Sequence, residues 1–145
     1  MEWITPKTDW QMTDKINLSD YYRWRNNLLF LKRYCYSIFH INYDSMANNK
    51  VAGSYPYADE INAIENNLDK LNKGKYNLSI GSKKTYSENK GGFNYMEINR
   101  IETAMLELYV RIGIDRKPLD MMQFTLGKQK GFRPWVWKQI MLMLN

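Results

Sequence analysis

The sequence predicts a mainly α fold, a small helical bundle built on three repeat-related amphipathic helices plus a C-terminal apolar helix. Three observations point there. An apolar stripe of 3.6-residue period occurs three times, each copy opens on a helix-start signal, and the last segment is apolar nearly all round. In the clearest copy Asn94 is a good N-cap, and Glu97 sits three residues on, where it can reach back to the cap N–H. Ile98, Ile101, Met105, Leu108 and Ile112 then fall at i, i+3, i+7, i+10 and i+14, and Gly113 marks the expected stop. A shift of 37 residues finds Ile61, Ile64, Leu68 and Leu71, with Glu60 before them and Gly74 after. A shift of 77 finds Tyr21, Trp24, Leu28, Leu31 and Cys35 behind Asn17 and Asp20. The same registers set Arg23 over Arg100, Glu65 over Glu102, and Asn26-Asn27 over Asn66-Asn67.

Taken in order, residues 1–16 read as an extended arm carrying Trp3 and Trp10, with turns at Pro6 and around Thr13-Asp14. The two indoles anchor the arm either on the chain's own core or on a neighbour. The first helix should run from about Leu18 to Tyr36, and Ser37–Tyr43 extends it or forms a short strand. Asp44–Tyr55 is a loop, closed by Pro56 at the head of a second helix over Tyr57–Lys73. On that most polar copy Asn62, Glu65, Asn66, Asp69 and Lys70 are expected to face solvent. Between Lys75 and Gly92, Tyr76, Leu78 and Ile80 alternate with polar residues, Gly81-Ser82 offers a turn and Thr85-Tyr86 a return, so a short β-hairpin is expected.

Beyond Gly113, Ile114–Pro118 reads as a connection into a short helix over Leu119–Phe124, followed by a basic loop between Gly127 and Gly131. Pro134 heads a final helix, Trp135–Leu144, with almost no polar face. Such a helix must be buried, in its own core or in a neighbouring subunit. The chain is thus a single domain over 1–145: an arm (1–16), three helical repeats (17–113) and a C-terminal helical extension (114–145).

Apolar content of 44% is ordinary, whereas aromatics at 14% are many enough that some are expected at protein contacts as well as in the core. The net charge of +6 is spread over short pairs with no tail-like block, which suits a solvated basic face. One Cys excludes an internal disulfide, and one His excludes a Cys/His zinc cage within the chain. Met1–Pro6 lacks a signal-peptide pattern and no apolar run nears the ~20 residues that span a bilayer, so synthesis in a reducing cytoplasm is expected.

Catalytic patterns are missing. His40 has no serine motif near it, and the glycines at Gly74-Lys75 and Gly91-Gly92 do not make a phosphate loop. Glu60, Glu65, Glu97 and Glu102 could supply a glycosidase pair, but capping and repeat position already explain them. Asn42–Asn49 only weakly imitates a calcium loop. No enzyme, cofactor or metal is expected.

Two stretches carry a resemblance. Thr8-Asp9-Trp10, Asp14 and Ile16-Asn17 form a lead-in to the first helix, and Asn99-Arg100-Ile101-Glu102 form the core of the third. Together they resemble tail-associated structural proteins of phages and prophages of Gram-positive bacteria, in which such a lead-in runs into an Asn-Arg-Ile-Glu helix. The first copy keeps the lead-in but has Tyr22-Arg23-Trp24-Arg25 in place of the core, the second has Asn62-Ala63-Ile64-Glu65, and the third keeps only Thr85-Tyr86 of the lead-in. The likeness spans roughly residues 3–108. It implies a virion structural protein, a tail or baseplate subunit made in the host bacterial cytoplasm, whose partners are other tail proteins and further copies of itself in a ring or other homo-oligomer.

On this reading the motif residues Asn99, Arg100, Ile101 and Glu102 are structural, with Arg100 pairing along the helix to Glu97 and Glu102 either capping or bridging to a loop, the lead-in Asn or Trp region first among the candidates. Trp3, Trp10, Trp135, Trp137, Met141 and Met143 are the assembly-interface candidates, the methionines as adaptable contacts. The alternative class is a non-catalytic basic adaptor for nucleic acid, using Lys128, Lys130 and Arg133 with Phe132 and Trp135.

Overall fold

The computed structural model describes residues 2–48, 50, 58–88 and 90–128, those from Pro118 onward as backbone. It contains three helices: α1 (Leu18–Tyr34), α2 (Ala58–Lys75) and α3 (Tyr95–Lys128). The fold is mainly α, with no strand among the described residues. No helix among them is long and apolar enough to cross a membrane.

The apolar stripes make the core. Tyr21, Trp24, Leu28, Leu31 and Cys35 of the first repeat meet Ile61, Ile64, Leu68 and Leu71 of the second. Ile98, Ile101, Met105, Leu108 and Ile112 of the third complete it, and none of these side chains is more than 2% exposed. Each such burial contributes on the order of 1.5–3 kcal/mol. Burial also pushes the Cys35 thiol up to about 11, which leaves it a small unreactive hydrophobe.

All three helices touch one another, and all run the same way. Arg23 meets Glu102 near the start of α1 and Tyr34 meets Gly113 at its end, while Glu65 meets Arg100 and Lys75 meets Asp115, so contacts advance along α3 in the direction of α1 and of α2 alike. Each helix is therefore preceded by a lead-in that runs back along the bundle: the arm (2–16), a second lead-in (35–50) and a third (76–94). The helix starts follow the sequence. Asp20 accepts from the Asn17 N–H at 2.7 Å, and Asn94 accepts from the N–H groups of Met96 and Glu97. The Glu97 carboxylate, expected at the Asn94 cap, instead binds Lys84 and Arg100.

Several boundaries differ from expectation. Gly74 does not end α2, which runs on to Lys75 and closes with Asn77 in the left-handed region (φ 50°). Gly74 is there for space: a Cβ would stand 2.6 Å from the Phe39 ring. Gly113 likewise marks a close approach, to the Tyr34 hydroxyl at 3.1 Å from a Cβ, and does not end α3. Instead of a connection over Ile114–Pro118 and a separate helix over Leu119–Phe124, α3 is continuous through Pro118 to Lys128. After α1 the chain neither extends the helix nor forms a strand; it turns at Cys35–Ile38, where Ile38 and Phe39 donate to the Cys35 carbonyl. The hairpin expected over Lys75–Gly92 does not form among the described residues. That segment is an extended lead-in whose backbone is bound by helix side chains, so it has no strand to pair with. The expected final helix, Trp135–Leu144, and the basic loop after Lys128 lie outside the described residues.

Gly74 yields a test whose sign is not the usual one. In an open helix Gly→Ala gains roughly 0.5–1 kcal/mol, but Gly74→Ala should lower stability by about 1–2 kcal/mol because the methyl collides with Phe39. Thermal melts of the two proteins would show it.

Candidate functional site

The resemblance motif lies where the arm meets α3. Asn99 holds the backbone of Trp10 at both ends, accepting from its N–H at 2.8 Å and donating to its carbonyl at 3.0 Å. Glu102 is fully buried, and its two oxygens receive four donors. Oε1 takes the Lys7 N–H (3.1 Å) and Arg23 Nε (2.7 Å), while Oε2 takes Arg23 Nη2 (2.9 Å) and the Trp10 indole N–H. Arg23 is completed by Asp20 one turn away. Ile101 is in the core at 2% exposure, and Arg100 binds Glu97 and Glu65. Lead-in, first helix and third helix are thus fastened by one carboxylate.

The second half of the same design sits between α2 and α3. Glu65, expected on a solvent face, is 1% exposed and accepts from Arg100 and from the Tyr86 hydroxyl. Asn62, also expected outside, holds the Tyr86 N–H and carbonyl at 2.7 and 2.9 Å. Burial raises the Glu65 carboxyl above its ordinary value, with Arg100 opposing the shift. Burial also disfavours the Arg100 and Arg23 charges, but their carboxylate partners more than offset it, and both guanidinium groups are held more firmly protonated.

Two-point asparagine clasps recur beyond the motif. Asn27 holds Ile4, Asn67 holds Asp44 and Asn72 holds Leu78, each through both backbone groups of the held residue. Asn27 and Asn67 occupy one repeat position; Tyr22, Asn62 and Asn99 occupy another. Tyr22 exchanges hydrogen bonds with Lys50 in place of an amide clasp. The third interface, between α1 and α2, breaks the pattern: Ala63 stands where an Arg is expected and Arg25 where a Glu is. Lys50 and Glu60 pair there instead, and Arg25 donates to the Met46 carbonyl. Lead-in residues 4 and 10, 44 and 50 keep one spacing, which repeat reasoning about helices alone had not used.

The interface candidates divide. Trp10 is 3% exposed in the chain's own core, and Trp3 is half-buried, stacked on Tyr109 at 4.2 Å and tilted against Phe30. Trp135, Trp137, Met141 and Met143 lie outside the described residues. A surface not singled out from the sequence is a shallow groove of about 460 Å³ on the outer side of α3, lined by Leu78, Leu106, Glu107, Val110, Arg111 and Ile114. The signal for it was a second apolar row on α3 beside the core stripe. His40 is exposed, 4.0 Å from the Tyr36 ring. No family model, curated protein or solved structure matches the chain.

Removing the Glu102 acceptor strands a buried guanidinium, an indole N–H and a backbone N–H. Glu102→Ala should therefore cost about 3–5 kcal/mol, whereas Asn99→Ala, which loses one neutral clasp, should cost about 1–3 kcal/mol. Urea unfolding midpoints would rank them. Glu97 makes the network sensitive to acid. Burial pushes its carboxyl up, but Lys84 and Arg100 outweigh that and hold it below its ordinary 4.5. A depressed folded pKa means a stabilising contribution that is full above 4.5 and lost as pH falls through the folded value. Glu97→Gln should be less stable than the native chain near pH 6, and the gap should close on titration toward about pH 3.

Proposed function

We propose that the chain is a virion structural protein, a non-catalytic tail or baseplate subunit of a phage or phage-tail-like particle that works by protein–protein assembly. One observation carries the reading. The two halves of the resemblance motif, Thr8-Asp9-Trp10 and Asn99–Glu102, are far apart in sequence yet are held together by Asn99 and Glu102. That contact gives a physical reason for the halves to occur together, which supports reading the likeness as one fold device. The exposed apolar groove on α3 supplies a surface suited to assembly. A subunit locked by buried ion pairs and clasps is also stiff, which favours docking with little reorganisation.

The experiment is to induce particle production in a strain that carries this sequence and to follow the chain by antibody through gradient-purified particles. Co-sedimentation with intact tails and immunogold label at the tail or its base is the expected result. A chain that stays wholly in the particle-free fraction would sink the reading. A salt-sensitive mobility shift of DNA or RNA would then favour the adaptor alternative, since phosphate contacts weaken steeply with salt.

A further inference from the structure

The outer face of α3 is an unpaired apolar row. Leu106, Val110 and Ile114 recur at i, i+4 and i+8 with Leu78 beside them, and Val110 and Ile114 are 53% and 58% exposed. The backbone of α3 continues from this row to Lys128, whereas α1 and α2 stop at Tyr34 and Lys75, the heights of residues 111 and 112 by the repeat register. That leaves 16 residues, about 24 Å of helix, past the end of the bundle. Exposed β-branched side chains in a row, on a helix that outruns its neighbours, form a face that a partner helix can cover.

We propose that this face binds a second copy of the chain, α3 against α3 in an antiparallel contact about a twofold axis near Val110. The charges single out this occupant. Glu107 and Arg111, one turn apart, rim the row on either side of Val110 with opposite signs. A twofold axis reverses the order, so Glu107 of each copy comes to face Arg111 of the other, and the pair forms twice. Glu107 has no ion-pair partner among the described residues, and the Arg111 guanidinium lies 6.0 Å from the Tyr76 ring. The apolar row is self-complementary by the same axis, with Leu106 of one copy over Ile114 of the other.

The inference goes beyond the assembly reading by naming a partner and a contact. A chain that dimerises in solution but never enters a particle would uphold it and sink that reading; a monomer found in tails would do the reverse.

The test uses the full chain and light scattering after size exclusion, over about 1–100 μM. A dimer is expected. Glu107→Arg and Arg111→Glu should each weaken association about tenfold or more by setting like charges together, and the double swap should restore it. Unchanged far-UV circular dichroism would certify the folds. A monomer at every concentration, as self-coverage by the terminal segment would give, overturns the proposal, and so do single reversals without effect or a double swap no better than either. As a second readout, Val110→Cys places one exposed thiol on the face, the native Cys35 being buried. It should form a disulfide-linked dimer much faster than Met12→Cys, at an 81% exposed site in the arm. Equal rates would overturn the proposal as well.

Discussion

A buried carboxylate with four donors sets most of this structure. Moving an ion of that size out of water costs several kcal/mol unless its lone pairs are all engaged. Glu102 is tolerated only where Arg23, the Trp10 indole and the Lys7 N–H arrive together. That one requirement fixes the height of α1 against α3, the path of the arm and the orientation of an indole. Stripes of Ile, Leu and Met would pack in several registers at similar cost; an unmatched charge would not. The apolar core supplies the bulk of the stabilisation, and the ion pairs select the arrangement.

The asparagine clasps solve a second problem. Parallel helices need long returns, and an extended return beside a helix has no ladder partner for its N–H and C=O groups. A side-chain amide offers one acceptor and two donors, so a single Asn can engage both backbone groups of a residue lying across it. Placed at matching repeat positions, Asn27 and Asn67 or Asn62 and Asn99 stand in for the missing strand. Where the pattern lapses, between α1 and α2, the Tyr22 hydroxyl and the Lys50–Glu60 pair do the work with different chemistry.

Much of the fold was legible because periodicity is a strong signal. The stripes from Tyr21 to Cys35, Ile61 to Leu71 and Ile98 to Ile112 are the core, and Asn17 and Asn94 open their helices. The coupling of Glu102 to the lead-in could be anticipated because the two motifs occur together. Asn62 and Glu65 could not. On a helical wheel they sit beside the core stripe among polar residues, and only the course of a lead-in with no periodicity of its own reveals that they are covered. Gly74 and Gly113 are hidden for a related reason: a glycine that admits a ring or a hydroxyl from another segment looks the same in sequence as a glycine that ends a helix. Alternation over Tyr76–Ile80 reflected one-sided packing of a single extended segment, which a hairpin would mimic.

The arm gives the fold a direction in time. Ile4, Lys7 and Trp10 are made before all three helices, yet the partners of Lys7 and Trp10 stand 89 to 95 positions later in the chain. On the ribosome α1 and α2 can begin to associate while the arm is still without its groove, and the indole of Trp10 lacks its Glu102 acceptor until α3 emerges. Closure of the arm on α3 joins residues about 90 positions apart, which makes it slow relative to local helix formation.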